Sequence, residues 1–174
     1  MIDAIAERLA ACGLEVHPEK TKIVYCKDGQ RKRDWPIVQF DFLGFGFQPR
    51  PSKSRSGNLF LGFSPAVSAK AAKAMRRTIR SWKIHRWTQL SIDELAESFN
   101  PVIRGWMNYY GSFYRSKLSR IFQQLDFALV RWAKRKYKKK GSLAKATAWL
   151  RRLARRQPQL FAHWPLTLTA TAGQ

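Results

Sequence analysis

Arg104, Asn108, Gly111 and Arg115, in the stretch NPVIRGWMNYYGSFYR, recur at three- and four-residue spacing. A helix opening at Asn100-Pro101, a cap followed by proline, puts them on one face. Ile103, Trp106, Met107, Tyr110 and Tyr114 then fall on the other. Two long cations, an amide and a residue with no side chain suit close approach to a phosphate backbone, and the aromatic face suits a core. A second set is denser. Lys70, Lys73, Arg76, Arg77, Arg80 and Lys83 line one side of a helix read from Ser64-Pro65 to about Trp87, opposite Val67, Ala71, Ala74, Met75, Thr78 and Trp82. A third set is the run Lys134, Arg135, Lys136, Lys138, Lys139 and Lys140, although basic residues at a helix end also complement the helix dipole. The last helix adds Lys145, Arg151, Arg152, Arg155 and Arg156.

Other chemistry is thinly represented. Two-metal phosphoryl transfer needs clustered carboxylates about 4 Å from cation to cation, and Asp3, Glu7, Glu15, Glu19, Asp41, Asp93, Glu94 and Glu97 are scattered or set on exposed helix turns. Cys12 and Cys26 have neither a C-x-x-C partner nor a histidine at ligand spacing, so neither zinc nor a disulfide is expected. His17, His85 and His163 show no ligand or triad spacing and receive no role, His163 reading as a packing residue in LFAHWP. The balance of charge is more informative. Thirty-three Lys and Arg against eleven Asp and Glu give a formal net charge of +22 in 174 residues, which calls for a polyanion on the surface. Nucleic acid is the first candidate, because no apolar run approaches the ~20 residues of a spanning helix. No signal-peptide pattern opens the chain, and a cytoplasmic location is expected.

These residues need elements to hold them. Ile2, Ile5, Ala6, Leu9 and Ala10 form one helical stripe that ends at Gly13. KTKIVYCK, IVQFDFLGFGF and NLFLGF read as three strands separated by the turn-prone KDGQRKRDW and QPRPSKSRSG, a small antiparallel meander backed by that first helix. Gly44 and Gly46 mark a bulge or a close backbone approach inside the second strand. Ser91 to Glu94 is a capping box, a helix from about Lys117 to Tyr137 carries Leu118, Ile121, Phe122, Leu125, Leu129 and Trp132 in register, and Gly141-Ser142 opens a helix with the stripe Leu143, Ala146, Leu150 and Leu153. The fold class is α+β, mostly α: a β-rich residues 1–63, then an all-helical 64–165, with a frayed tail.

LAACGLEVHPEKTKIV, then FDFLGFGF, a basic helix, and LAESFNPVIRGWMNYYGSFYRS together resemble the C-terminal part of group II intron-encoded reverse transcriptases. The resemblance covers residues 1–165 and implies the end of a polymerase palm (1–63), a thumb-like basic helix (64–88), a maturase-specific domain (89–165) and a disordered tail (166–174). It implies binding to the intron's own RNA, in support of splicing, reverse splicing and complementary-DNA synthesis. Phe42, Leu43 and Gly44 are similar to the primer grip of that family. Lys20 or Lys22 corresponds to a lysine thought to assist departing pyrophosphate as a clamp or proton donor.

The family's catalytic carboxylates include a Tyr-x-Asp-Asp box, which this sequence does not contain. The chain alone is therefore expected not to polymerise and to bind no cofactor, magnesium belonging to a complete polymerase. No zinc-type endonuclease segment is present, so DNA cleavage is not expected. The implied partners are group II intron RNA, a primer-template, and a chain carrying the missing fingers and palm. The competing readings are one half of a split RNA-directed DNA polymerase, a degraded truncated element, and a non-specific basic nucleic-acid-binding protein.

Overall fold

The computed structural model describes residues 2–27, 35–54, 56–137 and 141–167. Its element order is α1 (Ile2–Ala10), β1 (Phe40–Phe42), β2 (Phe45–Lys53), β3 (Leu59–Val67), α2 (Ala69–Ser81), a 3-10 turn (Ile84–Arg86), α3 (Ile92–Tyr110), α4 (Arg115–Lys136), α5 (Leu143–Arg156) and α6 (Trp164–Thr167). The expected class holds: a three-stranded antiparallel sheet in the order β1-β2-β3 precedes a helical assembly.

The strands themselves differ from the sequence reading. IVQFDFLGFGF is not one strand, because Leu43 and Gly44 both take positive φ, 47° and 78°, the combination that closes a two-residue hairpin of type I′. Phe42 then pairs with Phe45, and Phe40 with Phe47, their rings stacked 4.7 Å apart. QPRPSK, read as a turn, is the second half of β2 and pairs Gln48 with Ser64 through Lys53 with Leu59. Pro49 and Pro51 are tolerated there for a geometric reason. Odd-numbered residues of β2 face β1, which ends opposite Phe47, so beyond that point the two prolines present their missing N–H groups to an open edge. KTKIVYCK forms no strand; its backbone bonds include Thr21 N to His17 O, Tyr25 N to Ile37 O and Lys27 N to Tyr25 O. Helix α1 does not back the sheet, since it buries no residue.

Two helix starts also move. Ser64-Pro65 lies inside β3, and the cap of α2 is Ser68, whose hydroxyl accepts from Ala71 N. Asn100-Pro101 is not a cap. Helix α3 runs unbroken through it from the Ser91–Glu94 capping box, which forms as expected. Pro101 is exposed, so the carbonyl its ring leaves unpaired is open to water.

Ile92, Leu95, Ala96, Phe99, Asn100 and Ile103 make one buried stripe at spacings of three and four. Helix α4 is the central strut, touching α2, the 3-10 turn, α3, α5, α6 and β3. Its Leu118, Ile121, Phe122, Leu125, Leu129 and Trp132 are each 0 or 1% exposed. One continuous core extends from Val67 to Trp164. None of the helices is long and apolar enough to cross a membrane, among the described residues.

Candidate nucleic-acid interface

The residues predicted from the basic helices are exposed or half-buried where they are described. Lys70, Lys73, Arg77, Arg80 and Lys83 are exposed on and just after α2, with Arg76 half-buried beside them. Arg104, Asn108 and Arg115 are exposed, as are Arg135 on α4 and Arg151, Arg152 and Arg155 on α5. Lys138 and Lys139 lie outside the described residues.

Tertiary structure gathers part of this set. The end of α2, the 3-10 turn and α4 enclose a concavity of about 130 Å³ lined by Arg80, Lys83, His85, Gln124, Phe127 and Arg131 together with Ile79, Ile84 and Ala128. Phe127 and Arg131 also border the next concavity along α4, with Lys134, Arg135 and Leu143. A basic track results. It runs from Arg80 and Lys83 through Arg131 to Lys134 and Arg135, around the half-exposed ring of Phe127, and among the described residues no carboxylate lines it. Lys83 is held in the left-handed region, φ 47°, where α2 gives way to the 3-10 turn. His85 sits among like charges: burial, and then Arg131, Arg86, Arg135 and Lys83, push its imidazole below the usual histidine value. Arg131 was missed in sequence, His85 was given no role, and Lys134 was read only as part of a basic run at a helix end. Arg131 and Arg135 stand four and eight residues after Phe127, so extending one face of α4 finds them, whereas His85 carries no local signal.

The opening stretch divides largely as its spacing predicted. Ile103 is fully buried and Trp106, Met107 and Tyr110 are half-buried, whereas Tyr114 lies beyond the end of α3, at the cap of α4. Trp106 stacks on Trp82 at 5.8 Å. On the polar side, Asn108, Gly111 and Arg115 share a concavity with Ser112, Pro165 and Leu166, and Arg115 Nε donates to Gly111 O at 2.9 Å. Arg104 is not among its lining residues.

The primer-grip-like residues meet the same stretch from its aromatic side. Tyr109 Oη donates to Leu43 O at 2.8 Å, Ser68 N donates to Gly44 O at 2.9 Å, and the Phe45 ring lies 5.2 to 5.7 Å from those of Tyr109, Tyr110 and Phe113. A Cβ on Gly44 would stand 2.6 Å from Tyr110 Oη. Both turn carbonyls are thus engaged, and what the hairpin offers outward is the side chains of Phe42 and Leu43, 60% and 66% exposed. Lys20 and Lys22 are exposed in the irregular stretch after α1, Lys20 N donating to His17 Nδ1.

Asp41 faces cations rather than carboxylates. It shares a polar concavity with Arg50 and Lys117. Arg50 is 4% exposed, donates to Ser64 O and Gly46 O, and lies over the Tyr114 ring. Burial, then Arg50 and Arg120, draw the Lys117 ammonium below its usual value against the opposing pull of Asp41. Among the described residues no three His, Cys, Asp or Glu side chains converge as a metal site would require.

Residues 72–157 match the family described as the group II intron, maturase-specific domain, just under half of the chain. No curated protein and no solved structure matches. The matched span begins one turn into α2 and closes at the cap of α5, so it contains the central strut, the opening stretch and the whole basic track. Over residues 72–157, then, the chain is similar to a group II intron maturase-specific domain.

Proposed function

We propose that this chain binds structured group II intron RNA as a maturase-type fragment of a reverse transcriptase and assists splicing or intron mobility. The observation that carries the reading is the convergence of Arg80, Lys83, Arg131, Lys134 and Arg135 on one acid-free track inside the matched domain. Cations at this density read shape and phosphates rather than base edges, which suits folded RNA. The test compares intron RNA with a random-sequence duplex over a range of salt. Tighter binding to the intron, with a log–log salt slope of about −4 for five phosphate contacts, is the expected result. Equal affinity for both would leave a non-specific basic protein.

A second reading has its own support. Helix α1 buries none of its residues, and Phe42, Leu43, Leu59 and Phe60 are exposed on the sheet. Apolar surface of that extent suits another chain, and a polypeptide carrying the fingers and the Tyr-x-Asp-Asp palm would supply it. On this reading primer extension requires both chains together, and neither extends a primer alone.

A further inference from the structure

We propose that the concavity between the end of α2, the 3-10 turn and α4 is a phosphate site, in which Arg80, Lys83 and Arg131 hold the anion and a protonated His85 completes the ring of cations. RNA is then bound more tightly as the pH falls, with a proton taken up at His85. This rests on the reading of the chain as an RNA binder.

The cavity is the first argument. Its volume of about 130 Å³ leaves room for a phosphate group. Its chemistry is the second. The polar side chains of the lining are three cations, one imidazole and one amide, and among the described residues no carboxylate competes for the cations.

The third argument is electrostatic. Among the described residues every charged group facing His85 is positive: Lys83 just after α2, Arg86 beside it on the 3-10 turn, and Arg131 and Arg135 on α4. In the free protein the imidazole is therefore neutral in conditions where an ordinary histidine is partly charged. The same depression makes the free fold lose stability as the pH falls from the ordinary histidine value through that of His85, because protonation then charges a partly buried ring beside four like charges. A bound phosphate reverses the balance by placing a negative charge among the four cations. Linkage requires that whatever raises the basicity of His85 on binding also strengthens binding in acid.

His17 and His163 are placed differently. His17 is exposed near the amino terminus, and His163 is buried with Nε2 against Asp126 Oδ1 at 2.9 Å. Neither lines the concavity.

The experiment measures affinity for intron RNA between about pH 5.5 and about pH 8, the range in which histidine titrates, together with the His85 ring resonance in the presence and absence of RNA or of dimethyl phosphate. Dimethyl phosphate keeps one charge throughout that range and so isolates the site from the rest of the RNA. Affinity is expected to rise in acid, by up to about tenfold for each unit by which RNA raises the pKa of His85. His85→Gln should abolish the rise and His85→Lys should bind tightly at every pH, while His17→Gln behaves as wild type. RNA that binds while the His85 resonance titrates unchanged, or a His85→Gln variant that keeps the full pH response, overturns the phosphate site and leaves the RNA-binding reading intact. Failure to bind RNA with a clear upward shift by dimethyl phosphate would instead sink the RNA reading and keep the anion site. If RNA does not bind and dimethyl phosphate leaves His85 unmoved, both are wrong.

Discussion

Asn100 shows how one side chain can be placed correctly by pattern and misread in role. Its position before proline suggests a cap, yet it is buried in mid-helix, where Nδ2 donates to Leu160 O and Oδ1 accepts from Ala162 N, each at 2.9 Å. This amide ties α3 to the turn before α6. Asn100→Ala would leave a half-buried carbonyl and a half-buried N–H unpaired, so we expect a loss of about 2 kcal/mol in denaturant unfolding, with α3 itself still helical by circular dichroism. A few residues along, the two faces of the opening stretch predict opposite outcomes. Arg104→Ala with Arg115→Ala should change stability by no more than about 0.5 kcal/mol per site. It should flatten the salt dependence of RNA binding by about 1.5 in log–log slope. Trp106→Ala should cost about 3 kcal/mol, the low end for an aromatic truncation because the ring is only half-buried against Trp82 and Phe122. A folded Trp106 variant that loses RNA, beside a double arginine variant that binds normally, would reverse the assignment of the faces and make the rings a stacking platform.

At the level of elements, the capping box and the hairpin carry the clearest tests. Glu94 Oε2 accepts from Ser91 N at 2.6 Å while Ser91 Oγ accepts from Glu94 N at 3.2 Å. The backbone bond, then the hydroxyl of Ser91, hold the Glu94 carboxyl below its ordinary value. A depressed carboxylate contributes stability that is present above its unfolded pKa and lost as the pH falls through the lower folded value. Wild type should therefore melt above Glu94→Gln at neutral pH, the two curves converging once the pH is below the carboxylate range. A constant gap down to strong acid would assign the difference to something other than the charge. The hairpin is governed by sterics. Gly44→Ala must place a Cβ at positive φ, a cost of about 1–2 kcal/mol, and must also displace the Tyr110 hydroxyl. We expect the near-ultraviolet spectrum to change with the loss of the Phe45, Tyr109 and Tyr110 packing while helix content is kept.

Across the whole molecule, order should follow the distribution of the core. The buried apolar cluster runs from Val67 to Trp164, whereas α1 contributes none of it. Amide hydrogens of residues 2–27 should exchange at rates near those of an unfolded chain, while those of α4 open only on global unfolding. Protection of α1 in a monomer would show that its stripe of Ile2, Ile5 and Leu9 is covered after all. Protection that appears only at high protein concentration would point to association through the exposed apolar residues of α1 and the sheet. The charge of +22 sets the complementary expectation, that added polyanion raises the melting temperature and that salt weakens the effect.

The sequence by itself determined the features that depend on residues three or four apart. The capping box, the register of α4, the start of α5 at Ser142 and the split of the opening stretch into apolar and polar faces are all local, because one turn of helix is enough to define them. The net charge needed no structure either, and it pointed to a polyanion before any element was placed. The sheet was harder. A short apolar run does not say where a strand turns, and Leu43, a residue that disfavours positive φ, hides a hairpin that Ser68 and Tyr109 pin from 24 and 66 residues away. Pro49 and Pro51 look like breakers until the length of β1 is known, since only then does their side of β2 have no strand to bond. The basic track is the same kind of fact. Arg80 and Lys83 come from one helix end and Arg131 from another helix some fifty residues on, and only the packing of α2 and the 3-10 turn on α4 brings them to one concavity with His85 among them. Helical periodicity tells which side of a helix is polar, but which polar sides face one another is settled by the core that the helices share.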